Sequence, residues 1–323
     1  MTARLLPPLR IALAGAGAFG RKHLDALAVI EEADVVAVVS RRLHQARQVA
    51  AEYAVGYATT DLTDVLDHDD IDAVIVCTPT QLHAGQAIAA LRAGKHVQVE
   101  IPLADSWADA ERVAAVQRET GLICMAGHTR RFNPSHRWIR TRIAVGDLRL
   151  RHLEVQTYFL RRSNLNVLGQ PRSWTDHLLW HHAAHTVDLL RYQTGEEIVA
   201  ASALQGPPHP DLRIAMDMSV HLRTSGGTLC TLSLSFNHDG AQGSVFRYIT
   251  DTGTYIARYD DLTTGHGAPV DLSSAGVPAN GIEGQDREFL AAITQDRQPE
   301  SGIESVLPSY QVLAGLHEQL AQP

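Results

Sequence analysis

Leu9-Arg10-Ile11-Ala12-Leu13-Ala14-Gly15-Ala16-Gly17-Ala18-Phe19-Gly20 is an apolar run that turns through G-x-G-x-x-G into a helical pattern continuing from Lys22. A second apolar run over 34–39 completes the strand, turn, helix and strand that this glycine spacing needs before it signifies a dinucleotide site. A helix starting there presents unbonded backbone N–H groups and the positive end of its dipole to a pyrophosphate. Gly15 is expected to allow the tight turn, Gly17 the approach of the phosphates, and Gly20 the close packing of helix on strand. Ala18 and Phe19 complete the expected phosphate-facing turn.

The second strand ends Val38-Val39-Ser40-Arg41-Arg42, without the acidic residue that grips a ribose 2′-hydroxyl in NAD-binding chains. Ser40 supplies a hydrogen-bond donor, and Arg41 and Arg42 supply charge-assisted ones, a set suited to a 2′-phosphate. The expected cofactor is therefore NADP. The competing reading of Arg41 and Arg42 is the solvated start of a helix.

The 323 residues suffice for two domains with large cores. An apolar content of 45% and a charged content of 20% are those of an ordinary globular chain. The net charge of −8 disfavours a nucleic-acid surface. No apolar run approaches the roughly 20 residues of a membrane span. Cys77, Cys124 and Cys230 are odd in number and lack metal-binding spacing, which fits a reducing compartment. The first residues lack the apolar core of a secretory signal, so a cytoplasmic location is expected.

Apolar runs at 10–14, 35–39, 73–77, 96–99 and 122–126 alternate with helical stretches near 21–30, 43–53, 81–93 and 105–120. That is the pattern of a doubly wound parallel sheet. After about residue 150 the texture changes. Residues 213–222 alternate, with Ile214, Met216, Met218, Val220 and Leu222 on one face, and 228–236, 245–249 and 255–259 continue the series. Turns at Ser225-Gly226-Gly227 and Asp251-Thr252-Gly253 mark antiparallel hairpins. Amphipathic patterns at 286–293 and 306–320 predict closing helices, and 263–281 reads as a surface loop. The expected class is α/β, with an N-terminal Rossmann doubly wound parallel sheet over 1–127 that binds NADP. A C-terminal α+β domain over 128–323, with an open, largely antiparallel sheet, is expected to carry the substrate and oligomer contacts. An open sheet with helices on one face leaves the other to a second copy, so a homodimer or homotetramer is expected.

Several short pieces line up in order: Gly15 to Gly20, Cys77-Thr78-Pro79-Thr80 followed by His83, Glu100-Ile101-Pro102, Arg172-Ser173-Trp174, and His181 to Asp188. Together they resemble the glucose–fructose oxidoreductase/inositol dehydrogenase (Gfo/Idh/MocA) family over essentially the whole chain. The resemblance implies an NAD(P)-dependent oxidoreductase with a Rossmann domain followed by an open α/β substrate domain. It also implies cofactor contacts from Thr78, Pro79, Thr80, His83, Glu100 and Trp174. Two departures are informative. The family's Glu-Lys-Pro is here Glu100-Ile101-Pro102, and an apolar side chain cannot hold or polarise a substrate hydroxyl. The family's Asp-x-Gly-x-His-x-x-Asp is here His181-His182-Ala183-Ala184-His185-Thr186-Val187-Asp188, which keeps the histidine as His185 and puts His181 where the aspartate stood. These departures, with the runs 98–107, 127–136 and 173–182, are similar to one member of the family whose substrate is a dicarboxylate aldehyde from aromatic-ring cleavage.

That resemblance implies an NADP-linked oxidation in which the substrate's own enol oxygen has closed on its aldehyde. The cyclic hemiacetal is oxidised like a secondary alcohol and yields a pyrone lactone. No cysteine adduct is needed, and the three cysteines read as small buried hydrophobes. Such an oxidation wants a base titrating near neutrality, which is histidine's range. His181, His185 and Asp188 stand at i, i+4 and i+7 and share a face if the segment is helical. His185, the retained family position, is the expected base, with His181 as its partner or substitute. Asp188 is expected to fix a ring tautomer or to support the fold. His182 reads as a structural histidine, and His177 is left open. The small dicarboxylate substrate calls for arginine forks, for which Arg130, Arg131, Arg161, Arg162 and Arg172 are candidates. Trp174 and Trp180 are candidates to wall its ring.

Three other readings stand beside this one. A sugar or cyclitol dehydrogenase of the same family would want the lysine that Ile101 replaces. A non-catalytic NADP-binding regulator would need no histidine face. A metal hydrolase would use Asp176, His177, His181, His182 and His185, but it leaves the cofactor turn without a purpose. No resident metal is expected.

Overall fold

The computed structural model describes residues 7–321 apart from 166–168, 170, 173–175, 277 and 279. The chain divides into two compact units, Met1–Gly127 with Gln285–Leu307, and His128–Gly284 with Pro308–Pro323.

In the first unit, strands β1 (Leu9–Ala14), β2 (Ala33–Val39), β3 (Tyr57–Thr59), β4 (Ala73–Val76), β5 (His96–Val99) and β6 (Cys124–Ala126) form one parallel sheet. Their order is β3-β2-β1-β4-β5-β6. The interleaved helices are α1 (Ala18–Leu27), α2 (Leu43–Glu52), α3 (Leu62–Leu66), α4 (His83–Arg92) and α5 (Trp107–Thr120). All four residues of β4 are buried, as a strand covered by helices on both faces requires, so it reads as a continuous apolar run. The strand order reverses between β1 and β4, and a ligand crevice is expected at their carboxyl ends. The sequence pattern omits β3 and α3, which are too short to show a period. Local capping sets α3: the Asp61 carboxylate accepts the Thr63 N–H at 2.9 Å.

The second unit contains α6 (Pro134–Ala144), β7 (Leu150–Tyr158), a π-helical turn at Leu178–Ala183 and α7 (Ala184–Thr194). Then come β8 (Ile198–Gln205), β9 (Asp217–Thr224), β10 (Leu229–Ser235), β11 (Gly243–Thr250), β12 (Thr254–Arg258) and β13 (Asp261–Thr264). The sheet order is β13-β12-β11-β7-β10-β9-β8. Only the central pair β7 and β10 is parallel; the other pairs are antiparallel. Met218, Val220, Leu222, Cys230, Leu232, Leu234, Phe246 and Tyr248 are buried, so the alternating positions do share a core face. Both expected hairpin turns form: Gly227 at φ 88° closes one, and the Thr250 N–H to Gly253 carbonyl bond of 3.0 Å closes the other. The strand expected from 213 begins at Asp217, because Arg213 takes a left-handed φ of 58° in the preceding turn.

Two helices close the chain, α8 (Gly281–Thr294) and α9 (Ile303–Ala321). Here the expected boundary of 1–127 and 128–323 needs a correction, since 285–307 belongs with the first unit. The reason is the free edge of β6. The Ala126 N–H donates to the Ser301 carbonyl at 2.9 Å, and Met125 pairs with Gly302, so the returning segment covers an otherwise open sheet edge. No described helix is long and apolar enough to cross a membrane.

Candidate active site

The turn after β1 has the geometry its glycines promise. Gly15 has φ 116°, and a Cβ there would collide with the Cys77 carbonyl. A Cβ on Gly20 would collide with the Gly15 carbonyl, so helix and turn touch backbone to backbone. A Cβ on Gly17 would meet nothing within 4 Å. Gly17 is also the N-cap of α1 and offers no side-chain cap, so the first helical N–H groups of Ala18 and Phe19 face open space. That is the cradle a pyrophosphate fills. Phe19 stands out from the helix, with Lys22 Nζ 5.0 Å from its ring centre. Gln45, which sequence reasoning missed, ties the site together: its amide donates to the Ala16 carbonyl at 3.0 Å, and its oxygen receives the Ser40 hydroxyl at 3.4 Å. Arg41 and Arg42 are exposed beyond β2 and make no ion pair among the described residues.

The turns after β4 and β5 are more committed than expected. Thr78 and Pro79 are half-exposed, but Thr80 is buried. His83 is corrected from a cofactor contact to a clasp: its Nδ1 lies 2.7 Å from the Pro102 carbonyl and its Nε2 2.7 Å from the Thr78 carbonyl. Burial lowers its pKa, so the neutral ring donates to one of these two carbonyls and rests its other nitrogen against the second, wedged between the two turns. Glu100 likewise turns inward. Its Oε1 meets His23 Nε2 at 3.1 Å and the Gln285 amide at 3.3 Å, while among the described residues Oε2 meets only the Ile101 N–H at 3.4 Å. Trp174 lies outside the described residues.

In the second unit, the histidine segment is helical but begins with the π turn. His177 is its N-cap, with Nδ1 accepting the Leu179 N–H at 3.1 Å. The His177 N–H donates to His181 Nδ1 at 2.9 Å. That bond uses the Nδ1 lone pair, so neutral His181 carries its proton on Nε2 and is a donor there rather than a base. His185 differs. Its Nδ1 is buried without a partner, and neither ring nitrogen bonds to protein among the described residues. Burial first, then the Arg130 cation and the neighbouring histidines, push its pKa well below 6.5. It is therefore neutral at pH 7 with a lone pair to offer. His182 packs between Phe159 and Phe236, at 5.2 and 5.3 Å between ring centres, and burial lowers its pKa to about 4.

Asp188 is corrected from the catalytic set. Arg131 Nε donates to its Oδ2 at 2.7 Å and Arg131 Nη2 to its Oδ1 at 2.6 Å, in a wholly buried fork. Ser309 adds a bond of 3.3 Å, and His128 Nδ1 lies 3.4 Å away. The same fork removes Arg131 from the substrate set, because its guanidinium is already matched. Arg162 is exposed and donates to the Arg161 carbonyl and to Asn237 Oδ1, so it too is otherwise engaged. Trp180 is only 3% exposed and packs on Tyr310 and His317, which leaves no ring face for a substrate.

Arg130 and Arg161 remain. Arg130 lies over the Tyr259 and Phe246 rings, at 4.8 and 5.7 Å, and has no carboxylate at ion-pair distance among the described residues. Burial draws its pKa down, which marks a cation short of counter-charge. Arg161 shares Asp176 with Arg172 and lies 5.0 Å over Phe236, yet its Nε and Nη1 are buried without partners among the described residues. Among the described residues no group of three or more His, Cys, Asp or Glu is arranged to hold a metal. Asp176 and His177, two of the five ligands that reading needs, are engaged in ion pairs and in capping.

The family pattern described as “Oxidoreductase family, NAD-binding Rossmann fold” matches residues 9–128, and “Bacterial oxidoreductases, C-terminal” matches residues 134–276. The chain is 62% identical over 312 residues to the 4-carboxy-2-hydroxymuconate-6-semialdehyde dehydrogenase of Sphingobium sp. SYK-6, covering 97% of this chain and 99% of that protein. It is 30% identical over 198 residues to scyllo-inositol 2-dehydrogenase (NAD(+)) of Bacillus subtilis, covering 60% of this chain and 56% of that one. Among solved structures, levoglucosan dehydrogenase in complex with NADH superposes with a TM-score of 0.86 at 19% identity, over 97% of each chain.

Proposed function

The chain belongs to the Gfo/Idh/MocA oxidoreductase family, and we infer from this that it oxidises 4-carboxy-2-hydroxymuconate-6-semialdehyde with NADP. The observation that carries the reading is full-length identity of 62% to a dehydrogenase of that name. The substrate's chemistry explains the histidine face. Its 2-hydroxyl and 6-aldehyde are placed to close a six-membered hemiacetal, whose oxidation yields 2-pyrone-4,6-dicarboxylate. A nicotinamide cofactor bound at Gly15 to Gly20 would supply the hydride acceptor. His185 takes the hydroxyl proton as the C–H bond breaks and the lactone carbonyl forms. Arg130 and Arg161, half-buried cations on aromatic faces, hold the two carboxylates. Arg161 offers them two nitrogens that lack partners among the described residues.

The test is NADPH formation from the ring-closed dicarboxylate, followed spectrophotometrically. Substrate turnover is expected, and an analogue lacking one carboxylate is expected to bind about 10- to 100-fold more weakly. Equal affinity for the two would sink the arginine assignment, and no NADPH would sink the function.

The preference for NADP rests on Ser40, Arg41 and Arg42 and on the absence of an acidic residue at the end of β2. Changing Arg41 and Arg42 together to alanine is expected to weaken NADP+ about 10- to 100-fold, while NAD+ changes by no more than about threefold. Calorimetric titration with both cofactors reads this directly; parallel losses would refute a phosphate grip. A homodimer or homotetramer belongs to the same proposal. The outward face of the second sheet supports it, since Leu229 and Ile249 are exposed there.

A further inference from the structure

His23 lies wholly buried on α1, between two carboxylates that the proposed mechanism does not use. Its Nδ1 is 2.8 and 3.0 Å from the two oxygens of Asp286, and its Nε2 is 3.1 Å from Glu100 Oε1. The Gln98 amide donates to Asp286 Oδ1 at 2.8 Å, and the Gln285 amide donates to Glu100. A neutral imidazole has one N–H and one lone pair. Whichever tautomer were chosen, the lone pair would face a carboxylate oxygen, so only the imidazolium satisfies both sides. Burial opposes that charge, but Asp286 holds the His23 pKa well above 6.5. Burial would raise Glu100, and His23 instead holds it below 4.5. The Cys77 thiol, pushed up by burial, stays neutral. Two carboxylates against one imidazolium leave one net negative charge, in a place where water screens it poorly.

Glu100 follows β5, on the opposite side of the β1/β4 switch point from Arg41 and Arg42. A dinucleotide with its pyrophosphate at Gly15 to Gly20 and its ribose phosphate beyond β2 extends its nicotinamide half over the ends of β4 and β5. The oxidised nicotinamide ring carries a positive charge and the reduced ring carries none. Ile101 places no cation beside Glu100 to offset the chain of three. We propose that the buried His23–Glu100–Asp286 chain fixes the turn after β5 and makes this site bind the oxidised cofactor in preference to the reduced one. His23 and Asp286 are positioning residues in this scheme, acting through Glu100. The proposal rests on the cofactor being a nicotinamide, and neither on the substrate nor on the 2′-phosphate.

Glu100→Gln is the test, because it keeps the side-chain shape, leaves the His23–Asp286 pair in place and so takes the net negative charge away. Dissociation constants of the oxidised and reduced forms are measured on the full chain by calorimetry, for both the NADP and NAD couples, beside a melting curve. The ratio Kd(reduced)/Kd(oxidised) is expected to fall by about 3- to 10-fold. A merely structural chain would lower Tm and leave that ratio unchanged, which overturns the proposal. Should Glu100→Gln fail to fold, Ile101→Lys decides. It adds a cation at a half-exposed position beside Glu100 without touching the buried chain, and it should move the ratio the same way. An unchanged ratio there overturns the proposal as well. Absence of binding by either couple would sink the cofactor reading itself.

Discussion

Replacing His185 by alanine lowers kcat by about 10²- to 10⁴-fold, the range over which a positioned general base acts. The expectation follows from the state of the ring's nitrogens. His181 is tied at Nδ1 by the His177 N–H, and His182 is packed between two phenyl rings, while neither ring nitrogen of His185 has a hydrogen-bond partner among the described residues. The pH profile carries the same information. A base works deprotonated, and burial with the Arg130 cation holds His185 below its ordinary 6.5. Activity is therefore full at neutral pH and falls in acid, on a limb below pH 6.5 that reports His185. The measurement is kcat against pH for the wild-type chain and for His185→Ala. A kcat unchanged by the substitution would take the role from His185, and an acid limb surviving in the variant would assign it to another group.

The second large effect is on stability. Asp188→Ala strands the Arg131 guanidinium, which is 2% exposed, without its carboxylate. Breaking one side of a buried ion pair costs about 3–5 kcal/mol. For a chain of this size that corresponds to a fall in Tm of roughly 4–7 °C. Equilibrium unfolding in denaturant checks it; a loss under about 1 kcal/mol would show that the fork contributes little. The sign with pH is fixed too. Burial alone would raise the Asp188 pKa, but Arg131 and His128 hold it below 3.8. A depressed carboxylate contributes its stability above the unfolded value and loses it as pH drops through the folded one. The gap between wild type and Asp188→Ala should therefore be widest near neutrality and close in strong acid.

The contrast between His185 and Asp188 shows where sequence reading stops. Both lie on one expected helix face, and spacing alone treats them alike. Arg131, 57 positions earlier, takes Asp188 into the interior and leaves His185 its lone pair. His83 and Glu100 follow the same course. Their positions after α4 begins and after β5 are legible, but each side chain is bonded inward by partners distant in sequence. One signal was available and unread. Asp286 and Gln285 occupy the buried stripe of α8 beside Phe289 and Leu290, and a carboxylate on an apolar stripe needs a buried counter-charge. His23 is that counter-charge.

The sequence by itself determined the Rossmann unit, the cofactor turn, the mostly antiparallel second sheet and the histidine segment. Those features follow from local rules: glycine's φ range, strand and helix periods, and turn chemistry within a few residues. Only the tertiary structure decided that 285–307 returns to the first unit, that Arg131 and Asp188 neutralise each other, and that Arg161 keeps two nitrogens without partners among the described residues. Desolvation is the reason. A buried charge must find its opposite wherever the chain brings one, and no spacing in a linear sequence says which arginine a carboxylate will meet.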